Sequence, residues 1–267
     1  MERLAAQLSR MAIRPSIRQG LKRLYIRALT WQTGGKGLEA SLPGGETIRV
    51  LPEYAFLSWN PDEYRGFRDA IRPGMTAFDI GANVGAYSLL LGQWVGASGA
   101  VYAFEPAPVA FDGLTRHIRL NALDPIVTPI RSAVGAAATT ARLVVGSTAG
   151  ESRLAGSQDV GATTVDVAVT TIDEFCARRQ LTPDFIKIDV EGAELDVLRG
   201  ARDTIGRQRG RLSLFVELHP SIWRTTGLRV SDVKAELDAL GLDIVSLQPG
   251  VDPWTIEGVC VRLVSRS

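Results

Sequence analysis

From residue 76 onward the apolar residues of this chain switch between two periods. Short apolar runs, such as Thr76–Ile80 and Ala100–Glu105, alternate with longer stretches in which apolar positions recur every three or four residues, such as Val84–Val95 and Pro108–Leu120. The short runs predict strands and the longer ones helices. The pattern goes on with a strand at Ile126–Arg131, a helix at Thr171–Arg179, a strand at Phe185–Asp189 and a helix at Ala193–Ile205. A strand at Leu212–Leu218, a helix at Ser231–Leu240 and closing strands at Asp243–Leu247 and Val259–Leu263 complete it. A Gly/Ala/Thr-rich stretch from Gly135 to Val169 breaks the rhythm and predicts a β-insertion. Strands separated by helices predict an α/β fold: a doubly wound, mainly parallel, seven-stranded Rossmann-like sheet covered on both faces.

The first part of the chain follows other rules. Ile17, Leu21, Leu24, Tyr25, Ala28 and Leu29 keep helical spacing among basic residues, which predicts an amphipathic helix. Gly34, Gly35 and Gly37 follow, then two short strand-like runs around Gly44-Gly45 that read as a hairpin. A helix at Asp62–Ile71 is stopped by Pro73-Gly74. This divides the chain into a basic helix and hairpin, 1–52, and an α/β domain, 53–267. The net charge of +1 is unevenly spread: residues 1–31 carry seven Arg and Lys against Glu2, or +6, which leaves −5 for the rest. With positive charge outside the α/β segment, a nucleic-acid substrate is not expected. No apolar run approaches the roughly 18 residues of a membrane span. No secretory signal is expected, since Met1–Leu29 has no continuous apolar core and no small-residue cleavage site. Cys176 and Cys260, far apart and without metal-ligand spacing, read as core residues in a reducing compartment. A cytoplasmic protein follows, membrane-associated if the arm docks.

Polar residues gather where strands end. Phe78-Asp79-Ile80-Gly81-Ala82-Asn83-Val84-Gly85 runs from a strand end into a helix start. Gly81 and Gly85 permit a tight turn and close approach of a ligand, and a helix start presents free N–H groups. A plain turn capped by Asn83 would use the same residues, so this segment alone is weak evidence. Glu105 ends the next strand, 20 residues after Gly85. A carboxylate there can accept both hydroxyls of an adenosine ribose. Together the two segments point to a nucleoside ligand, without separating a nicotinamide dinucleotide from S-adenosylmethionine.

Two further strands carry charge. In Phe185–Glu194, strand alternation puts Lys187 and Asp189 on one side and Ile186, Ile188 and Val190 on the other. Charges at the carboxyl end of a buried parallel strand require partners or a ligand. Glu191 follows at the turn, and dipole stabilisation accounts for Glu194 and Asp196 in the next helix. In Leu214–Pro220, Glu217 and His219 share the face opposite Leu214, Val216 and Leu218.

Asp-Ile-Gly-Ala-Asn-Val-Gly at 79–85, Phe-Glu-Pro at 104–106, Ile-Lys-Ile-Asp-Val-Glu-Gly-Ala-Glu at 186–194 and Glu-Leu-His-Pro at 217–220 resemble the FkbM-type methyltransferases. The resemblance spans residues 53–264 and leaves out the basic arm. It implies a class I methyltransferase fold, S-adenosylmethionine as donor and a hydroxyl as acceptor. It further implies that Asp79, Gly81, Ala82, Asn83 and Gly85 border the methionine end and that Glu105, beside Pro106, holds the ribose. Asn121, Ser132 and Ala133 then fall along the adenosine, with Asp189 also on the cofactor side. A nicotinamide-dependent oxidoreductase is the rival enzyme, but Asn83 breaks the Gly-x-Gly-x-x-Gly spacing. A catalytically inactive adenosyl-binding partner module is the other rival, opposed by the intact Asp79, Glu105 and Asp189.

If strand 76–80 borders 185–189, and that borders 212–218, then Asp79, Asp189, Glu217 and His219 open onto one cleft where the winding order reverses. His219, with an ordinary pKa near 6.5, is then expected to take the acceptor's proton at neutral pH. Glu217 orients the acceptor, and Asp189 and Glu191 supply negative charge near the sulfonium. No metal is expected, because Lys187 already gives Asp189 a positive partner. His117 is expected to face solvent, away from Phe111, Leu114 and Ile118. The expected partners are a small-molecule, glycan or lipid-linked acceptor, with no nucleic acid. The arm is expected to pack on its own domain or a second subunit, with peripheral membrane contact as the rival.

Overall fold

The computed structural model describes residues 15–55, 57–144, 153–154 and 163–266. The chain divides into two units, Met1–Leu57 and Ser58–Ser267. In the first, helix α1 (Pro15–Gln32) precedes the hairpin of β1 (Leu38–Ser41) and β2 (Thr47–Val50), which pair antiparallel with Ser41 opposite Thr47. A 3₁₀ turn at Pro52–Tyr54 packs on α1, which carries this unit past residue 52. The basic residues Arg3, Arg10 and Arg14 lie outside the described residues. Among the described residues no helix is long and apolar enough to cross a membrane.

The second unit opens with α2 (Pro61–Ala70), capped by Asn60, whose Oδ1 accepts from the N–H groups of Asp62 at 2.9 Å and Glu63 at 3.4 Å. Then follow β3 (Thr76–Ile80), α3 (Ala86–Val95), β4 (Ala100–Phe104), α4 (Pro108–Leu120) and β5 (Val127–Ile130). The insertion comprises β6 (Ala133–Val134), β7 (Thr139–Val144), β8 (Arg153–Leu154) and β9 (Thr164–Thr170), which form their own sheet in the order β6-β9-β7-β8. Its stretches 145–152 and 155–162 lie outside the described residues. Helix α5 (Ile172–Arg179), β10 (Phe185–Ile188), α6 (Glu194–Arg199), α7 (Arg202–Arg207), β11 (Ser213–Leu218), α8 (Pro220–Thr226), α9 (Val230–Leu240), β12 (Leu242–Ser246) and β13 (Val259–Ser265) complete the chain.

The main sheet runs β12-β13-β11-β10-β3-β4-β5, parallel except for β13, which is antiparallel to both its neighbours. This is the doubly wound Rossmann-like fold that the periodicity predicts. Winding reverses between β3 and β10, so a crevice opens at their carboxyl ends. On one face of the sheet Phe78, Ile80, Ile186, Ile188, Leu214 and Val216 pack against Phe175 of α5, Leu198 of α6 and Leu237 of α9. On the other, Phe67 of α2 meets the rings of Phe185 at 5.7 Å and Phe215 at 5.0 Å, edge to face.

Three local predictions needed correction. The helix expected from Val84 begins only at Ala86, because Asn83 (φ 50°) and Gly85 (φ 93°) are left-handed. The single helix expected over Ala193–Ile205 is two, α6 and α7, broken at Gly200. A Cβ on Gly200 would stand 2.1 Å from the Gly135 carbonyl oxygen, so the backbones touch there. Helix α8 was not expected: it starts at Pro220, directly after the polar strand end, and stops at left-handed Gly227.

Gly81 shows how tightly the crevice is built. Its φ is +82°, and a Cβ would lie 1.7 Å from the Asp189 carbonyl oxygen. Gly81→Ala should therefore cost more than about 3 kcal/mol, from combined strain and overlap. Gly206 is exposed in α7, and a Cβ there would meet nothing within 4 Å, so it should gain up to about 1 kcal/mol as Ala. Thermal denaturation of both variants checks the pair, and a Gly81→Ala protein as stable as wild type would refute the close approach.

Candidate active site

A cavity opens at the crevice between β3, β4 and β10. Gly81 and Asn83 wall it after β3, Glu105 and Pro106 after β4, and Asp189 and Glu191 after β10. Ser132, Ala133, Leu143 and Arg153 bring the start of the insertion and its sheet to the same wall. Glu105 accepts the Asn83 N–H at 2.8 Å on one oxygen and the Ala107 N–H at 2.7 Å on the other. These two bonds lock the carboxyl in place. Burial raises its pKa to about 7, more than the two N–H groups lower it. Asn83 Oδ1 is buried in this wall without a hydrogen-bond partner among the described residues.

Several of the residues singled out in the sequence stand behind the wall instead. Asp79 is buried beneath the turn, where its Oδ2 accepts from Ser88 Oγ at 2.6 Å. Gly85 caps α3 against Leu114, and Ala82 is buried in the turn. Asn121 ends α4, donating from Nδ2 to the His117 carbonyl at 2.8 Å. None of these four lines the cavity.

Next to the cavity lies a dense polar cluster. Lys187 is fully buried in β10, directly across the strand pair from Asp79. Its Nζ is 3.1 Å from Asp189 Oδ2 and 3.7 Å from Asp79 Oδ1, above the ring of Tyr87. Burial works to lower its pKa, but Asp189, Asp79, Glu217 and Glu63 outweigh it and raise the value, so Lys187 is an ammonium. His219, at the end of β11, is also buried. Its Nδ1 meets Glu194 Oε1 at 2.7 Å. Its Nε2 faces Glu217 Oε1 at 3.6 Å, Glu191 Oε2 at 3.8 Å and Asp189 Oδ1 at 3.9 Å.

The expected strand order is present, but of Asp79, Asp189, Glu217 and His219 only Asp189 lines the cavity, and three roles change. Burial alone would lower the pKa of His219; its contacts with Glu194 and Glu217 and the charge of Asp189 raise it to about 11. At neutral pH it carries a proton already and is no base. Glu194, read from sequence as a dipole residue, is wholly buried and also accepts from Trp223 Nε1 at 2.6 Å and from the Gly192 N–H at 2.9 Å. His117 does not face solvent: it is wholly buried, with Nδ1 2.7 Å from the Val84 carbonyl. Its buried face is Ala110, Gly113, Leu114, His117 and Ile118, a helical stripe in which small residues stand where large ones were sought.

Glu63 was missed as well. It lies in the first turn of α2, which hides a second role: it is buried near Lys187 and Glu217, and burial raises its pKa to about 7. Asn60 three residues before it was the visible signal, and it pointed only to a helix start.

Residues 79–241 match the family model described as the methyltransferase FkbM domain. The chain is 28% identical over 198 residues to methyltransferase sdnD of Sordaria araneosa, covering 62% of this chain and 73% of that protein. It is 26% identical over 174 residues to hexuronic acid methyltransferase AglP of Haloferax volcanii, covering 61% and 67%. A solved structure of methyltransferase FkbM from Methylobacillus flagellatus aligns with TM-score 0.48 and 19% identity, over 76% of this chain and 50% of that one. This chain therefore spans about half the length of that structure.

The corrected position of His117 makes its own forecast. His117→Ala should destabilise the protein by about 2–4 kcal/mol, from a lost buried ring and an unpaired Val84 carbonyl. Urea denaturation measures it, and a cost below about 0.5 kcal/mol, the size of a surface change, would contradict the burial.

Proposed function

Because the chain belongs to the methyltransferase FkbM family, we propose that it transfers the methyl group of S-adenosylmethionine to a hydroxyl of a small molecule or glycan. S-adenosylmethionine is the methyl donor, and when bound it supplies an electrophilic methyl on a positively charged sulfur. The residues present suit it. Gly81 keeps a wall of the cavity free of side chain, and Asn83 Oδ1 is a buried acceptor able to take a donor such as an ammonium. Glu105, held by two backbone N–H groups, offers a carboxylate to ribose hydroxyls. Asp189 and Glu191 line the same cavity with carboxylate oxygens.

The observation that carries a hydroxyl acceptor is the convergence of Glu217, Asp189 and Glu191 beside the cavity. Methyl transfer to oxygen is an in-line displacement that must also remove a proton. That proton leaves on the side of the oxygen away from the incoming methyl, so its acceptor belongs outside the donor's cavity. Glu217 meets this condition, whereas Asp189 and Glu191 line the cavity. His219, pinned by Glu194, places its outer nitrogen 3.6 to 3.9 Å from the three carboxylates. The similarity to a hexuronic acid methyltransferase supports a sugar as the acceptor.

Incubation with methyl-labelled S-adenosylmethionine and oligosaccharides containing uronic acids should give an alkali-stable, ether-linked label. Label released by mild alkali would mean an ester and sink the hydroxyl reading. Glu217→Gln should lower kcat by about 10²–10⁴-fold and leave S-adenosylhomocysteine affinity within a few-fold.

Cofactor affinity should also depend on pH. Below a pKa of about 7 Glu105 is neutral and accepts hydroxyls poorly; above it the carboxylate accepts both. Asp79 and Asp189 are the charged neighbours that add to its elevation. S-adenosylhomocysteine affinity, measured by calorimetry, should rise up to about tenfold from pH 6 to pH 8. In Glu105→Gln it should be weaker and flat. An unchanged slope in that variant would refute the assignment.

A further inference from the structure

We propose that Asp189, Glu191 and His219 bind one divalent cation, of which manganese fits the donor set best, beside the donor cavity. One oxygen of Asp189, one oxygen of Glu191 and Nε2 of His219 lie within 4.8 Å of one another. An ion about 2.1 Å from each ligand places pairs of ligands between about 3 and 4.2 Å apart. Nε2 stands 3.8 Å from Glu191 Oε2 and 3.9 Å from Asp189 Oδ1. Both distances are too long for a hydrogen bond and fall within that span, while the two carboxylates, within 4.8 Å of each other, would close on the ion as it binds.

The independent observation is the orientation of His219. The side chain is 5% exposed, and its outer nitrogen is aimed into the cluster, 3.6 Å from Glu217 Oε1, 3.8 Å from Glu191 Oε2 and 3.9 Å from Asp189 Oδ1. Its inner nitrogen is fixed by Glu194, which is wholly buried and further tied to Trp223 and Gly192. A carboxylate that fixes one nitrogen of a buried imidazole and aims the other at a point between carboxylates is the support a metal-ligating histidine receives. The expectation of a metal-free site gave Asp189 wholly to Lys187. In the fold Lys187 meets only Oδ2, and Oδ1 turns to His219.

Charge asks for the same ion. Asp189, Glu191, Glu217 and Glu194 surround His219, and its single positive charge answers them only in part. A bound ion takes the place of the proton on Nε2. Two carboxylates and one imidazole suit manganese better than magnesium, which prefers oxygen throughout. On the proposed methylation, a hydroxyl bound to that ion would lose its proton to Glu217 more readily.

Manganese binding to the full chain tests this without any acceptor. Electron paramagnetic resonance titration should give one Mn²⁺ per chain, with affinity at least tenfold weaker in Asp189→Asn and in Glu191→Gln. Asp112→Asn, a surface carboxylate, should match wild type. The chain has two histidines, and His117 is engaged by Val84 within a helix, so nitrogen hyperfine coupling to bound Mn²⁺ in the wild type would identify His219 even if a variant failed to fold. Wild-type protein that is stabilised by S-adenosylhomocysteine yet binds no Mn²⁺, or binds it without nitrogen coupling, overturns the site. Alkali-labile product from a chain that binds Mn²⁺ would instead remove the hydroxyl reading and leave the cation site standing.

Discussion

A lysine ammonium in the middle of a parallel strand is the constraint on which the rest of this site depends. Lys187 lies between Ile186 and Ile188 with Phe215 beside it on β11, and removing a partner from a buried pair of this kind typically costs about 3–5 kcal/mol. The sheet answers by setting Asp79 directly opposite on β3 and Asp189 two residues on at the end of β10. That fixes the relative register of the two strands between which the winding reverses. It also draws Asp189 toward the sheet by one oxygen, leaving the other turned outward to His219. The crevice and its charge pattern thus follow from one buried cation.

Two kinds of polar group meet at that crevice, and their surroundings separate their tasks. On the donor side, the Glu105 carboxylate is held by the backbone N–H groups of Asn83 and Ala107, so it is rigid before any ligand arrives. Such preorganisation lowers the entropy lost on binding. On the other side, Glu194 anchors His219 and Trp223 together, and the positive φ of Glu191 (52°) and Gly192 (103°) turns the chain sharply enough to bring Glu191 back to the same point. A non-glycine residue in that conformation stores strain of order 1–3 kcal/mol, which persists only where the surrounding contacts hold it. Here Glu194 holds the turn through the Gly192 N–H.

How much of this was legible beforehand depends on the range of the interaction. Alternating periods predicted the strands and helices because periodicity is a property of neighbours in the chain. The breaks in that agreement were contacts: Gly200 divides a helix because Gly135 touches it, and α3 starts late because two left-handed residues intervene. The polar strand ends at Asp189, Glu217 and His219 were visible because charge is rare on buried parallel strands. The rest of the site was not, for a consistent reason. Glu194 and Glu63 both sit in first turns of helices, where an acid needs no further explanation.

The sequence by itself determined the order of elements, the alternation that sends Lys187 and Asp189 to one face, and the glycines that the tight turn after β3 requires. Each of these rests on local stereochemistry. The tertiary structure decided which groups are buried and what charge they carry. His219 became an imidazolium held among carboxylates because Glu194, 25 residues earlier, packs beneath it. His117 became a core residue because small side chains widened the buried face of its helix. Burial and electrostatic environment are sums over residues far apart in the chain, and only the folded arrangement brings those residues within reach of one another.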